Sequence, residues 1–371
     1  MVTTTSPILN NPEHVGSFLR PHAIHLARKQ FFEGLTSADV LRGVEDIAIR
    51  KLVAQQEKAG LRGISDGEFR REYFHLDFLK HVGGVTVTKN NLVGDKAEAV
   101  PPQLTVTGKL QWEAPIQVED YKFVKSCLTS PHSEVKVAIP SPTMAHFRGG
   151  RAAIDIQNYP DMEQFWVDLA EVYRKEIAAL YEAGCRYIQL DDTNLAYLCS
   201  EEMRQGAVSR GEDIQQLPRQ YAQLINEAIA TKPADMTVAI HLCRGNFRSR
   251  HFAAGGYEPV AEVLFKELNI DQFLLEFDDE RSGGFEPLRF LPKGKHVTLG
   301  LISTKTGKLE DKQKVIERIR EAAKYAPLEQ LGIGPQCGFA STVHGNDLTE
   351  EEQWAKIQLC MEIAHEVWGK K

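Results

Sequence analysis

The segment DMEQFWVDLAEVYRKEIAALYEAGCRYIQLDD, residues 161–192, decides the fold, because it contains one complete helix-to-strand unit. Apolar residues recur at helical spacing up to Gly184, and glycine commonly follows the last residue of a helix. The next run, YIQLDD at 187–192, is short and largely apolar. A strand of this kind directly after a long amphipathic helix is typical of a parallel sheet covered by helices.

The same alternation of helix and strand recurs along the chain. Further amphipathic helices are predicted over 37–60, 309–326 and 348–369. Eight strands that alternate with helices predict a (β/α)8 TIM barrel of the α/β class, with a doubly wound open sheet as the alternative. The apolar runs that predict the strands are HVGS (14–17), LRGISDGE (61–68), VKVAIP (135–140), YIQLDD (187–192), TVAIHLC (237–243), FLLEFD (273–278), HVTLGLIS (296–303) and LGIGPQCG (331–338).

Residues 82–134 interrupt this alternation. The segment contains VGGVTVTKNN and QLTVTGKLQWEAP, in which apolar and polar residues alternate and Gly, Asn and Pro mark turns. This pattern predicts a β-hairpin. We expect the hairpin to be an insertion between the second and third barrel strands that folds over the barrel mouth, because structureless loops of this length are uncommon.

The composition excludes several classes of protein. The chain of 371 residues has 44 Lys+Arg against 51 Asp+Glu, a net charge of −7, and 42% apolar residues. These values argue against a disordered chain and against nucleic acid as the main partner. No apolar run approaches the roughly 20 residues that cross a bilayer, and the N-terminus lacks the pattern of a secretory signal. Six widely spaced cysteines indicate free thiols, so we expect a cytoplasmic protein. From the strand pattern we expect residues 1–371 to form a single barrel.

Polar side chains collect at the C-terminal ends of the predicted strands, the edge on which barrel enzymes carry their active sites. His241 and Cys243 are separated by one residue, so a strand directs both side chains to the same side. Glu276 and Cys337 end later strands, and Zn²⁺ binds all three of these ligand types. The four residues predict a zinc site, and the alternative is a core histidine beside buried thiols. The other members of this polar cluster are Asp66, Glu68, Asp191 and Asp192.

Several motifs occur here in the order found in a known family. HVGSF, SDGEFR, IQLDD, HLCRGNF, FLLEFDDERSG and GPQCGF resemble the catalytic half of cobalamin-independent methionine synthase, and more closely its short, single-barrel relatives. The resemblance runs from Gly16 to about residue 365. It implies zinc-dependent transfer of a methyl group from 5-methyltetrahydrofolate to homocysteine, giving methionine. It also implies that zinc is bound by His241, Cys243, Glu276 and Cys337.

The resemblance also implies how the amino-acid substrate is held. Ser17 corresponds to the residue that holds the substrate carboxylate, and Glu68 and Asp191 correspond to the carboxylates that hold its ammonium group. Asp191 is also predicted to be a catalytic residue. Two carboxylates at a barrel mouth suit a zwitterionic substrate. The structural alternatives are a surface salt bridge from Glu68 to Arg70 or Arg71 and helix N-capping by the pair Asp191 and Asp192.

Zinc coordination removes the proton of a thiol, so the substrate sulfur is expected to be nucleophilic at neutral pH. Glu276 is the ligand expected to move or leave when that sulfur enters. The reason is that zinc holds an oxygen donor less tightly than it holds thiolate.

The region of the methyl donor departs from full-length enzymes at two positions. Lys305, in GLISTKTGKLE, lies near the position of the histidine that protonates the folate, and we predict Lys305 to be a catalytic proton donor. The tryptophan that stacks on the pterin is replaced by His146 and Phe147, of which Phe147 can stack on a donor ring. A positive patch follows the strand that carries His241 and Cys243, and it comprises Arg244, Arg248 and Arg250. This patch would suit an anionic methyl donor, and the alternative is that these arginines belong to ordinary solvated surface.

Two other functions stay open at this stage. One is alkyl transfer involving another thiol, as in enzymes that open epoxides with coenzyme M, although Glu68 and Asp191 favour an amino-acid thiol over a sulfonate. The other is a non-catalytic zinc- or thiol-binding protein. A partner protein that delivers the methyl group is compatible with each enzymatic reading.

Overall fold

The computed structural model describes residues 12–88 and 102–369. Within these residues the strands are β1 (Gly63–Ile64), β2 (Val82–Thr88), β3 (Gln103–Trp112), β4 (Glu134–Pro140), β5 (Tyr187–Asp192), β6 (Thr237–Leu242), β7 (Gln272–Glu276), β8 (His296–Ile302) and β9 (Leu331–Pro335). The α-helices are α1 (His22–Phe32), α2 (Ala38–Lys58), α3 (Leu76–Leu79), α4 (Val118–Cys127), α5 (Met162–Glu182), α6 (Asn194–Tyr197), α7 (Glu201–Ser209), α8 (Leu217–Ala228), α9 (Lys312–Ala322) and α10 (Glu350–Trp368).

A curled parallel sheet of seven strands forms the centre of the fold, in the order β1-β4-β5-β6-β7-β8-β9. Each strand pairs in parallel with the next one of the sheet along the chain. A doubly wound sheet would reverse its strand order at one point, and this sheet has no reversal. The architecture is therefore consistent with a TIM-like barrel, and all the strand ends that carry the polar cluster face one edge.

The prediction of a strand at residues 14–17 is wrong. This segment instead touches both edge strands through single hydrogen bonds. The backbone N–H of Glu13 donates to the Ile333 carbonyl of β9 at 3.0 Å, and His14 Nε2 lies 2.8 Å from the Gly63 carbonyl of β1. Gly16 has a φ of 134°, a conformation that L side chains rarely adopt, and this bend interrupts the extended backbone.

The long helices follow their predicted spans closely, because capping residues mark their ends. Ser37 and Asp161 each accept a hydrogen bond from the first turn, of α2 and α5 respectively. Helix α10 starts with a capping box, in which Thr349 and Glu352 each bind the backbone N–H of the other. In the part of the chain that the structure describes, every helix is too short or too polar to span a lipid bilayer.

Residues 82–134 hold both strands and a helix. Strands β2 and β3 pair antiparallel, and the residues that connect them, 89–101, lie outside the described residues. The second half of the segment forms α4, a helix that was not predicted. Its apolar residues Val118, Tyr121 and Val124 recur every three positions and are buried. Strand β3 packs against α5, where Trp112 Nε1 donates to Glu176 Oε2 at 2.9 Å.

Candidate active site

Three strands of the sheet, β6, β7 and β9, bring the four predicted metal ligands together. His241 lies on β6 and Cys243 directly follows it, Glu276 is the last residue of β7, and Cys337 follows β9. One ligand atom of each residue lies within 4.8 Å of the others, and all four side chains are buried. The two sulfur atoms are 3.5 Å apart. The side chains that the strand pattern predicts at this edge therefore form one cluster.

The cluster fits a zinc ion by its unpaired donor atoms. Among the described residues, His241 Nε2 and Glu276 Oε2 are buried without a hydrogen-bond partner. His241 Nδ1 lies 3.3 Å from the Leu274 carbonyl, which leaves Nε2 as the nitrogen available to a metal. Buried polar atoms are rarely unpaired, because desolvation without a partner is costly. One nitrogen, two sulfurs and one carboxylate oxygen satisfy the four-coordinate preference of zinc.

One of the two thiols is also poised to be a thiolate. A hydrogen bond with Cys243 and the adjacent His241 hold the pKa of Cys337 well below its usual range, although burial acts in the opposite direction. The thiolate is the form of cysteine that binds a metal. The electrostatic surroundings of Cys337 therefore favour the ligand form of the side chain.

Two further carboxylates, Glu68 and Asp191, are buried beside the cluster. Burial raises the pKa of Glu68 to about 7, with Arg71 opposing and Asp191 adding to the shift. Burial also raises the pKa of Asp191 to about 6, against the attraction of His241. Glu68 Oε2 has no hydrogen-bond partner among the described residues, and Glu68 has a φ of 58°, a strained value outside glycine. Glu68 therefore keeps one buried carboxylate oxygen that a hydrogen-bond donor of a ligand could satisfy.

Ser17 packs against the loop that follows Cys337. Its hydroxyl accepts a hydrogen bond from the Ala340 N–H at 3.3 Å, and its carbonyl accepts one from the Phe339 N–H at 3.0 Å. A Cβ atom at Gly338 would collide with the Ser17 hydroxyl, so glycine is required for this close approach. The loop therefore links Ser17 to the metal-ligand cluster.

The structure decides between the alternatives for the acidic residues. Arg70 pairs with Asp46 at 2.7 Å, so it is not a partner of Glu68. Arg71 Nη1 lies 3.9 Å from Glu68 Oε2, but both side chains are buried, so the pair is not a surface salt bridge. Asp192 binds the first turn of α6 from the position directly before the N-cap residue, Thr193.

The hydrogen bonds of Asp192 use both of its carboxylate oxygens. Its Oδ1 accepts from the Leu195 N–H at 2.8 Å, and its Oδ2 accepts from the Thr143 hydroxyl at 2.6 Å. The neighbouring Asp191 accepts from Gln189 Nε2 at 2.6 Å and faces His241 electrostatically. The two adjacent aspartates therefore have separate roles, because successive residues of β5 point to opposite sides.

A cavity of about 360 Å³ lies beside Cys243. None of the described residues of β2 or β3 lines this cavity, and residues 89–101, which connect the two strands, lie outside the described residues, so the placement of the hairpin over the mouth stays a prediction. Phe147 does line it, whereas His146 points away and its Nδ1 lies 2.8 Å from the Tyr221 hydroxyl. The lining is aromatic and cationic, with no carboxylate among its described residues, and includes Phe147, Tyr197, Phe247, Phe252, Arg148 and Arg210.

The remaining predicted cations occupy different environments. Lys305 is buried, and its Nζ has no hydrogen-bond partner among the described residues, while it acts electrostatically on Glu276 and Cys337. Arg244 is fully buried, donates to the Gly255 carbonyl and stacks 4.3 Å from the Tyr257 ring, so it does not contribute to a positive surface patch. The other two arginines of the predicted patch, Arg248 and Arg250, are exposed.

Sequence reasoning missed residues that hold the site in place. The Tyr257 hydroxyl accepts a hydrogen bond from the Glu276 N–H at 2.9 Å. Arg20 donates to the Glu68 and Arg71 carbonyls at 2.8 and 2.9 Å and to the Ala340 carbonyl at 2.9 Å, which ties the loop of Glu68 to the loop of Ser17 and Cys337. These contacts join distant parts of the chain, and no local pattern signals them.

Comparison with known proteins places the chain in a family. The family described as cobalamin-independent synthase, catalytic domain, matches residues 12–365. The chain belongs to this family. It is therefore a methyltransferase of the cobalamin-independent methionine synthase type, as the motifs in its sequence predict.

Individual members of this family are similar to the chain over most of its length. The uncharacterized protein YxjH of Bacillus subtilis is 42% identical over 359 residues, which are 96% of this chain and 94% of YxjH. The methionine synthase of Pyrococcus horikoshii is 26% identical, over 88% of this chain and 85% of its own length. The crystal structure of the Putative Vitamin-B12 Independent Methionine Synthase from Listeria monocytogenes has a TM-score of 0.78 and 39% identity, and covers 97% of this chain and 99% of that one.

Proposed function

We propose that this chain is a zinc-dependent S-methyltransferase that transfers the methyl group of 5-methyltetrahydrofolate to homocysteine and releases methionine. The observation that carries the proposal is the close approach of four ligand atoms, all within 4.8 Å, beside two buried carboxylates. The four ligand residues, which suit zinc and a thiol, are His241, Cys243, Glu276 and Cys337. The two carboxylates, which suit the ammonium group of an amino acid, are Glu68 and Asp191.

His241, Cys243, Glu276 and Cys337 would hold the zinc ion. When bound, zinc keeps the sulfur of a substrate thiol deprotonated and nucleophilic at neutral pH. The burial of all four side chains limits the access of water to this sulfur. The remaining catalytic tasks, which are to orient the substrate and to protonate the leaving group, belong to other residues of the chain.

Glu68 and Asp191 would bind the ammonium group of homocysteine, and Ser17 would bind its carboxylate. Glu68 Oε2 has no hydrogen-bond partner among the described residues, and burial disfavours the charged form of both carboxylates, so an ammonium group would offset their desolvation. A sulfonate thiol such as coenzyme M would bring a negative charge toward the same carboxylates. An amino-acid thiol is therefore the better substrate for this pocket.

The aromatic and cationic cavity beside Cys243 would bind the methyl donor. Phe147 offers a face to a planar ring, and Arg148 and Arg210 suit carboxylate groups of the donor. In the transfer, the bond between the methyl carbon and N5 of the folate breaks while the new carbon–sulfur bond forms. N5 keeps the electron pair of the broken bond and takes a proton from Lys305.

The proposal is tested by incubating the zinc-loaded protein with homocysteine and with mono- or polyglutamylated 5-methyltetrahydrofolate, with methionine measured by mass spectrometry. Methionine formation at one zinc per chain would support it. Zinc and homocysteine binding without methionine formation would overturn methylfolate as the donor. Methionine formed only after the addition of a protein fraction would instead indicate a partner that delivers the methyl group.

Replacing Lys305 with methionine is expected to lower kcat with methylfolate by about 100-fold, the usual size of a general-acid contribution. Zinc content should stay at one per chain, because Lys305 is not among the predicted ligands. Methionine production and zinc content measured on the same preparation check both statements. A variant with unchanged kcat would assign the proton to another donor.

The binding of homocysteine is expected to weaken as the pH falls through about 7, the pKa of Glu68 in the folded protein. Below this pH Glu68 is neutral and loses its attraction for an ammonium group, which stays protonated throughout the range. The dissociation constant should rise by up to about tenfold per pH unit. Calorimetric titration across this pH range measures the dissociation constant, and its change near pH 7 should be absent in Glu68→Gln.

A further inference from the structure

The two carboxylate oxygens of Glu276 differ in their hydrogen bonding. The carboxylate is fully buried, and its Oε1 accepts a hydrogen bond from the Arg244 N–H at 2.9 Å. Its Oε2 has no hydrogen-bond partner among the described residues. A buried carboxylate that leaves a metal must find another partner, because an unpaired charge in the interior is costly.

Arg281 follows β7 in a short turn, Glu280–Ser282, and two of its three nitrogen groups are fixed. Its Nη2 donates to Asp278 at 3.0 Å and its Nε donates to Asp279 at 2.8 Å. The third group, Nη1, has no hydrogen-bond partner among the described residues and lies 3.6 Å from Glu276 Oε2. The two aspartates therefore hold the guanidinium so that its free N–H groups face the free carboxylate oxygen.

From this pairing, and resting on the proposed zinc function, we infer that Arg281 is a positioning residue that receives the Glu276 carboxylate when the substrate sulfur replaces it on the metal. At 3.6 Å the two groups form an ion pair, but the separation is too long for a hydrogen bond, so that hydrogen bond is not yet formed. A small rotation of Glu276 would shorten the separation to about 2.8 Å, the length of a charge-assisted hydrogen bond. Arg281 would thus stabilise the state in which Glu276 has left the metal.

The inference predicts that Arg281 affects substrate entry and not metal binding. Without Arg281, the released carboxylate would stay buried and unpaired, so Glu276 would remain on the metal and resist replacement by sulfur. Lys305 is a second buried cation that acts on Glu276, but its Nζ is not among the ion-pair contacts of this carboxylate in the described residues.

The experiment compares Arg281→Gln with the unaltered protein in three measurements: zinc per chain, the dissociation constant of homocysteine by calorimetry, and the number of sulfur neighbours of zinc by X-ray absorption. Arg281→Gln should keep one zinc per chain and bind homocysteine about tenfold more weakly. The substrate-dependent gain of one sulfur neighbour should require correspondingly more homocysteine. Arg281→Lys, which keeps the charge, should recover part of the affinity.

A matched control and a second variant separate this role from simple scaffolding. Arg289→Gln removes a surface arginine that pairs with Glu258 at 2.9 Å, and it should change none of the three measurements. Equal homocysteine affinity in the unaltered protein, Arg281→Gln and Arg281→Lys, each with one zinc bound, would overturn the inference. If Arg281→Gln does not fold, an unchanged affinity in Arg281→Lys alone would overturn it. Absence of zinc from the unaltered protein would overturn the proposed function instead.

Discussion

Replacing Cys337 with alanine is expected to leave the purified protein with far less than one zinc ion per chain and to lower methionine formation at least about 1,000-fold. Cys337 would supply one of only two sulfur ligands, and its surroundings favour the thiolate. Loss of an outer-shell partner alone commonly lowers metal affinity 10–100-fold, so loss of a direct ligand should cost at least ~100-fold. Metal analysis after dialysis against a weak chelator measures the affinity change.

Cys360→Ala is the matched control for this prediction. Cys360 is as deeply buried as Cys337 but lies on α10, among apolar core residues outside the ligand cluster. Its loss should lower stability modestly and leave zinc content at one per chain. Full zinc occupancy in Cys337→Ala would contradict the assignment of this cysteine as a ligand.

Replacing Glu68 with glutamine is expected to lower kcat/KM for homocysteine by about 300-fold, chiefly through KM. The substitution keeps the shape of the side chain and removes the charge that would hold the substrate ammonium group. The loss of one partner of a buried charge pair commonly costs several kcal/mol, which corresponds to this factor. Steady-state kinetics with homocysteine as the varied substrate provide the test, with zinc content measured in parallel.

Glu176→Gln serves as the control for Glu68, because Glu176 is an equally buried carboxylate away from the site. It accepts hydrogen bonds from Trp112 Nε1 and from the backbone N–H groups of Ile116 and Gln117. This variant should be less stable, with KM for homocysteine unchanged. If the two variants raised KM equally, Glu68 would have only a structural role.

The predicted helices and most of the strands are confirmed, because their signals are local. Periodic apolar residues and capping side chains such as Ser37, Asp161 and Thr349 act within a few residues of one another. Helix α4 was missed because turn residues and alternation around it favoured a hairpin, whereas its buried face is only three residues long. The segment at 14–17 was mistaken for a strand, because the bend at Gly16 depends on the backbone conformation and not on hydropathy.

By itself, the sequence determined that His241 and Cys243 share one face, that Glu276 and Cys337 end later strands, and which family the motifs belong to. Strand periodicity and motif order are properties of neighbouring residues, so they can be read along the chain. Only the tertiary structure decided that Asp192 binds the first turn of a helix, that Arg244 is buried against Tyr257, and that Arg281 faces Glu276 with a nitrogen that has no hydrogen-bond partner among the described residues. Those contacts depend on packing between separate elements, where several side chains could occupy the same space. No local sequence pattern specifies which side chains become partners.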